Sequence, residues 1–297
     1  MNDLKSLLGP MRLPFLILTP ACVLAGMATA SSTGVHLNPI HVILAFVGAI
    51  SAHISVNAFN EYFDFKSGLD FRTQRTPFSG GSGTLPENPS AAKLTLIIAL
   101  LTFLITALIG IYFVIIRGPL ILPLGVFGLI LVVLYTTWFT HNPFLCLIAP
   151  GLGFGPLMVM GTHFVLTGSY SWQAFVVSLI PFFLVSDLLL LNQFPDVKAD
   201  KEVGRNHLPI AIGIRRSSLI YASFLLLAYL VVLIGAYLGM LPRLSLLGLL
   251  TVPVAIATSR GAFKHGENIP KLIPFMGLNV LVVILTPVLV AIGLFFT

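Results

Sequence analysis

Residues 40–70 read IHVILAFVGAISAHISVNAFNEYFDFKSGLD, and this stretch decides the fold class. Its first part is apolar for long enough to cross a lipid bilayer, which takes about 20 residues of helix. Its second part gathers Asn57, Asn60, Glu61, Asp64 and Asp70 where the apolar run ends. At about 100° per residue, His53, Asn57, Asn60, Glu61 and Asp64 fall within an arc of roughly 100°. The pattern predicts a membrane-spanning helix with a polar stripe at one end.

The apolar half of that pattern recurs along the chain. Of the 297 residues, 57% are hydrophobic and 9% charged, where soluble domains carry about 25% charged residues. Mean hydropathy is +1.01. Nine apolar runs are long enough to span: 11–31, 38–60, 91–116, 119–140, 143–166, 173–194, 217–239, 242–259 and 271–295. Breakers such as Gly34, Gly118-Pro119, Asn142-Pro143, Gly168 and Pro242 separate them. Prolines inside spans, such as Pro181 and Pro253, are compatible with a membrane bundle. The expectation is an all-α membrane protein, a bundle of nine transmembrane helices forming one domain over 1–297. Lys5 and Arg12 flank the first run and many runs follow, so no cleaved signal peptide is expected. Cys22 and Cys146 lie in apolar stretches and read as small buried hydrophobes.

Charge placement orients the bundle. With the N-terminus in the cytosol, Arg117 and Arg243 alone fall outside, leaving 14 of the 16 Lys and Arg residues on the cytosolic side. That is the distribution of the positive-inside rule, and nine spans then leave the C-terminus outside. The expected location is a multi-pass protein of the cell inner membrane. The net charge of +6 is spread over short loops with no basic stripe or tail, so nucleic acid is not an expected partner. The acids play no part in that assignment, yet nine of the ten join the same side, and Asp187 alone lies within a span.

Two loops on that side are long, about 61–90 and 195–216, and long ordered loops tend to carry function. The first presents Asn60, Asp64 and Asp70 followed by Lys66, Arg72 and Arg75. The second presents Asn192, Asp196 and Asp200 with Lys198 and Arg205. Both contain Asn, three residues, Asp, and then a second Asp, a weak internal repeat relating the second span to the sixth. On a helix, Asn192, Asp196 and Asp200 would share a face over two turns, although Pro195 interrupts it. Clustered carboxylates repel unless a cation joins them. Mg²⁺ takes oxygen ligands, few of them from protein, and shares the rest with substrate phosphates. Lys and Arg neutralise remaining phosphate charge. Two acidic clusters with basic neighbours therefore suit a diphosphate held by Mg²⁺, and Gly80-Gly81-Ser82-Gly83 offers backbone N–H groups to an anion.

At these residues the sequence resembles the UbiA-type superfamily of intramembrane prenyltransferases. Asn60, Asp64 and Asp70 match its first motif, Arg75-Thr-Pro-Phe-Ser-Gly80 the Arg-x-Pro-x-x-Gly pattern that follows, and Asn192, Asp196 and Asp200 its second motif, with Gly204-Arg205 after it. Within the superfamily it is most similar to menaquinone-type 1,4-dihydroxy-2-naphthoate prenyltransferases, through Asn60-Glu-Tyr-Phe-Asp64 and the segment 154–168. It departs from them at Glu61, where Asp is usual, and at Asn192-Gln-Phe-Pro-Asp196. The resemblance implies prenyl transfer from a prenyl diphosphate to an aromatic acceptor, with Mg²⁺ as cofactor. It implies metal binding by Asn60, Asp64, Asp70, Asn192, Asp196 and Asp200, with Asp64 and Asp196 central to catalysis. Lys66, Arg72, Arg75, Lys198 and Arg205 would bind phosphate oxygens. Asn57, Tyr135 and Asp187 are acceptor-side candidates. For Asp187 a hydrogen bond to a neighbouring helix is the competing reading, and for Tyr135, His141 and His163 ordinary span-end placement. Gly151 and Gly155 have the spacing of close helix packing. Other acceptors remain open on the same fold: 4-hydroxybenzoate, a tocopherol-type precursor, a chlorophyll-type ring or a glycerol-based lipid. A cyclase without external acceptor and a small-molecule transporter are further alternatives, though a transporter places its polar groups near the midplane.

Overall fold

The computed structural model describes residues 3–296, which are mostly helical with no β-strand among them. Among the described residues, nine helices are long and apolar enough to cross a membrane: α1 Leu13–Ser31, α2 Pro39–Ser67, α3 Pro89–Arg117, α4 Pro119–Thr137, α5 Pro143–Thr167, α6 Trp172–Asn192, α7 Ile214–Tyr237, α8 Arg243–His265 and α9 Ile269–Phe295. The expected count of nine holds, with ends shifted by a few residues. The largest shift is in α2, which runs on to Ser67 and so carries Asn60, Glu61 and Asp64 on helix.

Sequence chemistry sets the helix boundaries. Asn38 and Asn142 cap α2 and α5, their side chains accepting from Ile40 N and from Phe144 N and Leu145 N. Proline follows each at the first helical position, where its missing N–H costs nothing. Gly68 and Gly168 end α2 and α5 in the left-handed conformation, where a Cβ would be strained.

The helices are not equivalent. Along α6, 67% of the apolar window is buried, against 17% along α3, so α6 is central and α3 faces lipid. The main core joins residues of α1 and α5–α9, among them Leu184, Val185, Leu188 and Leu191 of α6 with Tyr221, Met276 and Val283. Gly151 and Gly155 of α5 lie against α6. A Cβ on Gly151 would collide with Phe182 O and Ser186 Oγ, and one on Gly155 with Ser178 O. The close approach expected from their spacing is therefore present. Between Gly153 and Met160, α5 widens into a π-helix beside Pro150 and Pro156. Proline supplies no N–H to the helical ladder, and wide turns of this kind often mark functional sites. Cys22 and Cys146 are buried free thiols, as expected.

Candidate active site

A cavity of about 410 Å³ runs through the bundle beside the main core, whose Leu18, Leu188 and Val283 line it. Its walls come from α1, α2, α3, α4, α5, α6 and α9. One end is polar and lies where α2 and α6 finish. The other end, at Phe113, Ile121 and Val165, lies near the opposite termini of α3, α4 and α5. The cavity therefore extends along most of a span's length. Glycines 48, 110, 125, 128, 153 and 161 line it, and their missing side chains provide much of its width.

The polar end is lined by Asn60, Asp64, Asp70, Asn192, Asp196 and Asp200, so all six expected metal-binding residues meet there. They arrive by different routes. Asp64 comes from the last turns of α2. Asp70 follows Gly68 in a single 3₁₀ turn, Leu69–Phe71. Asn192 ends α6, but Asn192, Asp196 and Asp200 do not share one continuous helix. A turn at 193–196 intervenes, and Asp200 sits on a separate short helix, Val197–Glu202. Pro195 accounts for the break, because its ring cannot continue the α6 ladder.

Their hydrogen bonds divide them into two groups. Arg205 is ion-paired with Asp64 from the first motif and with Asp200 Oδ1 from the second, the latter at 3.0 Å. His207 Nε2 lies 2.9 Å from the other Asp200 oxygen. Asn60 Oδ1 accepts from Arg12 Nη2 at 2.9 Å, and its amide donates to Thr136 Oγ1 at 3.2 Å. In contrast Asp70 Oδ2, Asn192 Oδ1 and Asp196 Oδ1 are buried with no hydrogen-bond partner. A buried acceptor left unpaired is costly, and three of them lining one space call for a cation.

Electrostatics agree. Burial, with Glu61 and Asp64 nearby, pushes the Asp70 carboxyl up to about 7 against the opposing effect of Arg12. Burial and the neighbouring Asp200 push Asp196 up to about 7 as well. Burial alone would lower Arg205, but Asp64 and Asp200 outweigh it and hold the guanidinium above its ordinary value. The site has more negative charge than its own cations neutralise. Among the described residues, however, no three His, Cys, Asp or Glu side chains converge tightly enough to hold an ion alone. That suits Mg²⁺, which dehydrates reluctantly and completes its shell with water and substrate phosphate. The donor set is all oxygen, open and anionic, and it fits the ion.

Of the five cations expected at a diphosphate, only Arg205 bonds to the acidic cluster. Lys66 lies over the Tyr62 ring at 5.7 Å. Arg72 pairs with Glu202 at 3.7 Å, tying the two long loops together, and Arg75 pairs with Glu87 at 3.6 Å. Lys198 is exposed, and none of these four lines the cavity. Long flexible side chains next to a motif in sequence have solvent and partner acids to choose from, which spacing does not reveal. Asn57 and Tyr135 line the cavity, whereas Asp187 does not. It is fully buried between α6 and α7, near Tyr221 and the Leu225 backbone, with no hydrogen-bond partner for either oxygen. His163 is buried against Thr29 at 3.0 Å, a packing role.

Three participants were not among the expected site residues, although Glu61 and His207 lie within the two motif loops. Arg12, just ahead of α1, lines the cavity and reaches α2. Glu61 is fully buried and holds Ser82. His207 supports Asp200. The position of Arg12 at the start of the first span was the only signal for its role. The glycine stretch 80–83 does present an amide to an anion, but that anion is Glu61, since Ser82 N donates to Glu61 Oε1 at 2.7 Å. A second cavity of about 530 Å³ adjoins the first under this stretch. The two share Arg12, Pro14, Phe15, Phe78, Ser79 and Gly81.

Residues 19–281 match the UbiA prenyltransferase family. Over 179 residues the chain is 29% identical to the 1,4-dihydroxy-2-naphthoate octaprenyltransferase of Bacillus subtilis (strain 168), a match covering 59% of this chain and 56% of that protein. The matched region thus spans little more than half of that relative. The fold is similar to a UbiA homolog from Aeropyrum pernix K1, with TM-score 0.72 and 15% identity over 94% of this chain and 96% of that one. It is also similar to a UbiA homolog from Archaeoglobus fulgidus bound to DMAPP and Mg²⁺, with TM-score 0.63 and 14% identity over 99% of each chain.

Proposed function

Because the chain belongs to the UbiA prenyltransferase family, we propose that it transfers an isoprenoid chain from a prenyl diphosphate to an aromatic acceptor within the membrane. The acceptor proposed is 1,4-dihydroxy-2-naphthoate, which would place the enzyme in menaquinone biosynthesis. The observation that carries the reading is the set of unpartnered buried oxygens of Asp70, Asn192 and Asp196 at the head of a long apolar cavity. An isoprenoid diphosphate has that same division, an anionic head on an apolar tail. The naphthoate assignment is supported by the Bacillus subtilis relative.

Asn60, Asp64, Asp70, Asn192, Asp196 and Asp200 would hold the Mg²⁺ ions. Bound there, Mg²⁺ would take up the charge that builds on the diphosphate as its bond to the allylic carbon breaks. Arg205 adds a guanidinium between the two motifs, and Arg12 a second one at the rim. The walls exclude water from the allylic cation, so the acceptor ring carbon, rather than water, forms the new bond as the C–O bond is lost. The ring then regains its aromaticity by releasing the carboxylate as CO₂, with diphosphate as the other leaving group. Asn57 and Tyr135 supply polar groups along the wall where the acceptor would lie. The two loops would face the cytosol, as the Lys and Arg distribution indicates, and the whole chain 1–297 would act as one unit.

The test is purified protein in lipid with labelled prenyl diphosphate, Mg²⁺ and a panel of acceptors. Labelled prenyl-1,4-dihydroxynaphthalene is the expected product. Transfer to another ring would correct the acceptor, and transfer to none would overturn the reading.

A further inference from the structure

Glu61 stands inside the first motif, between Asn60 and Asp64, yet it is bonded differently from the other acids. It is fully buried and does not line the cavity. Its Oε1 accepts from Arg12 Nε and from Ser82 N, both at 2.7 Å, and its Oε2 accepts from Ser82 Oγ at 2.8 Å. Both oxygens are engaged by protein donors, whereas oxygens of Asp70, Asn192 and Asp196 stay open.

The two partners of Glu61 belong to separate segments. Arg12 precedes α1, and its backbone is left-handed at φ 51, the one positive φ on a non-glycine among the described residues. Such conformations persist where the surroundings enforce them. Ser82 lies in the glycine stretch, beside Gly81 at φ 72. A Cβ on Gly81 would sit 3.1 Å from Asp70 Oδ1, 3.3 Å from Glu61 Oε1 and 3.6 Å from Arg12 Nη2. Loop backbone, Asp70 and Arg12 are thus packed around Glu61. Arg12 and Gly81 line both cavities, so the wall between the cavities is built on this clamp. Through Arg12 the clamp also reaches Asn60.

We propose that Glu61 is a positioning residue rather than a metal ligand. Its length lets it pin Arg12 and Ser82 together, and this holds Asp70 and Asn60 in place beside the metal end and separates the two cavities. Asp, one methylene shorter, would leave the Ser82 amide and hydroxyl out of reach. Gln keeps the length and satisfies every contact. Its Oε1 accepts from Arg12 and Ser82 N, and its amide donates to Ser82 Oγ, whose single proton is then free to turn from residue 61 to Thr84 Oγ1, 3.0 Å away. Asp64 and Asp70 remain close enough to balance the Arg12 charge.

The proposal rests on the prenyltransferase reading for its metal end, and the experiment separates the two. Full-length Glu61→Asp and Glu61→Gln are compared with the unaltered protein in nanodiscs by two readouts independent of turnover. One is Mn²⁺ binding in the presence of inorganic pyrophosphate, followed by electron paramagnetic resonance. The other is hydrogen–deuterium exchange of residues 80–84. Positioning predicts that Glu61→Gln stays within about threefold of the unaltered protein in Mn²⁺ affinity and keeps its exchange protection, while Glu61→Asp loses at least tenfold in affinity and exchanges faster; outer-shell contacts of metal sites are typically worth 10–100-fold. A metal ligand would show the reverse order, with the carboxylate variant retained and the amide lost, and that result would overturn the proposal. Two variants both indistinguishable from the unaltered protein would overturn it too. If Mn²⁺ and pyrophosphate bind to none of the three proteins, the metal reading fails, while the exchange result still decides the clamp.

Discussion

Arg205 and Asp64 are 141 residues apart in the chain and form an ion pair at the head of the cavity. The same guanidinium holds Asp200, so one side chain joins the ends of α2 and α6 through both acidic motifs. The side chains are largely shielded, at 14% exposure for Arg205, 8% for Asp64 and 4% for Asp200.

Removing that cation leaves two buried carboxylates facing each other. Breaking one partner of a buried pair costs about 3–5 kcal/mol. Arg205→Ala is expected to lower the melting temperature of the purified protein without metal, and to reduce prenyl transfer at least a hundredfold. Added Mg²⁺ with pyrophosphate should recover part of the lost stability, because it supplies the missing positive charge. Thermal unfolding in the two conditions checks this.

The apolar cavity predicts a size limit on the donor. Gly125 lines it and has nothing within 4 Å of a would-be Cβ. Gly125→Leu therefore fits without displacing the backbone but fills the lumen. The expected result is an increase of about tenfold in KM for long prenyl diphosphates, with short ones little affected, since each buried CH₂ is worth about 0.8 kcal/mol. A chain-length series of donors is the measurement.

Asp187 provides the opposite case. It is fully buried with neither oxygen hydrogen-bonded, and it lies away from the cavity. An ionisable group inside a membrane bundle is expensive. Asp187→Asn is expected to leave KM for the acceptor within about twofold and the melting temperature equal or higher. A large rise in acceptor KM would return Asp187 to the acceptor side.

Much of this architecture was legible in the sequence because bilayer thickness imposes a length on every helix. Nine apolar runs became nine helices, and the polar stripe from His53 to Asp64 lies on one, as its angular spacing required. The meeting of Asp64 with Asp200 followed from the repeat. What could not be read are features decided by tertiary contact. The π-helical turn at Gly153–Met160 is one, since Pro150 and Pro156 mark a disturbed ladder without saying which wider turn replaces it. Lys66, Arg72 and Arg75 follow the first motif in sequence, yet they turn to Tyr62, Glu202 and Glu87. Arg12, from another segment, takes the place beside Asn60 instead. Glu61 looked like a substitution within a motif, and its role emerged only with Ser82 beside it.

The account rests most heavily on Asp64 and Asp196 holding the cations that bind a prenyl diphosphate. Its most direct test is prenyl transfer by the purified protein, measured with Mg²⁺, with EDTA, and in Asp64→Ala and Asp196→Ala variants shown to insert normally. EDTA should stop transfer and Mg²⁺ restore it, with both variants losing at least a thousandfold at saturating metal. Full activity in either variant, or turnover undiminished by EDTA, would contradict it.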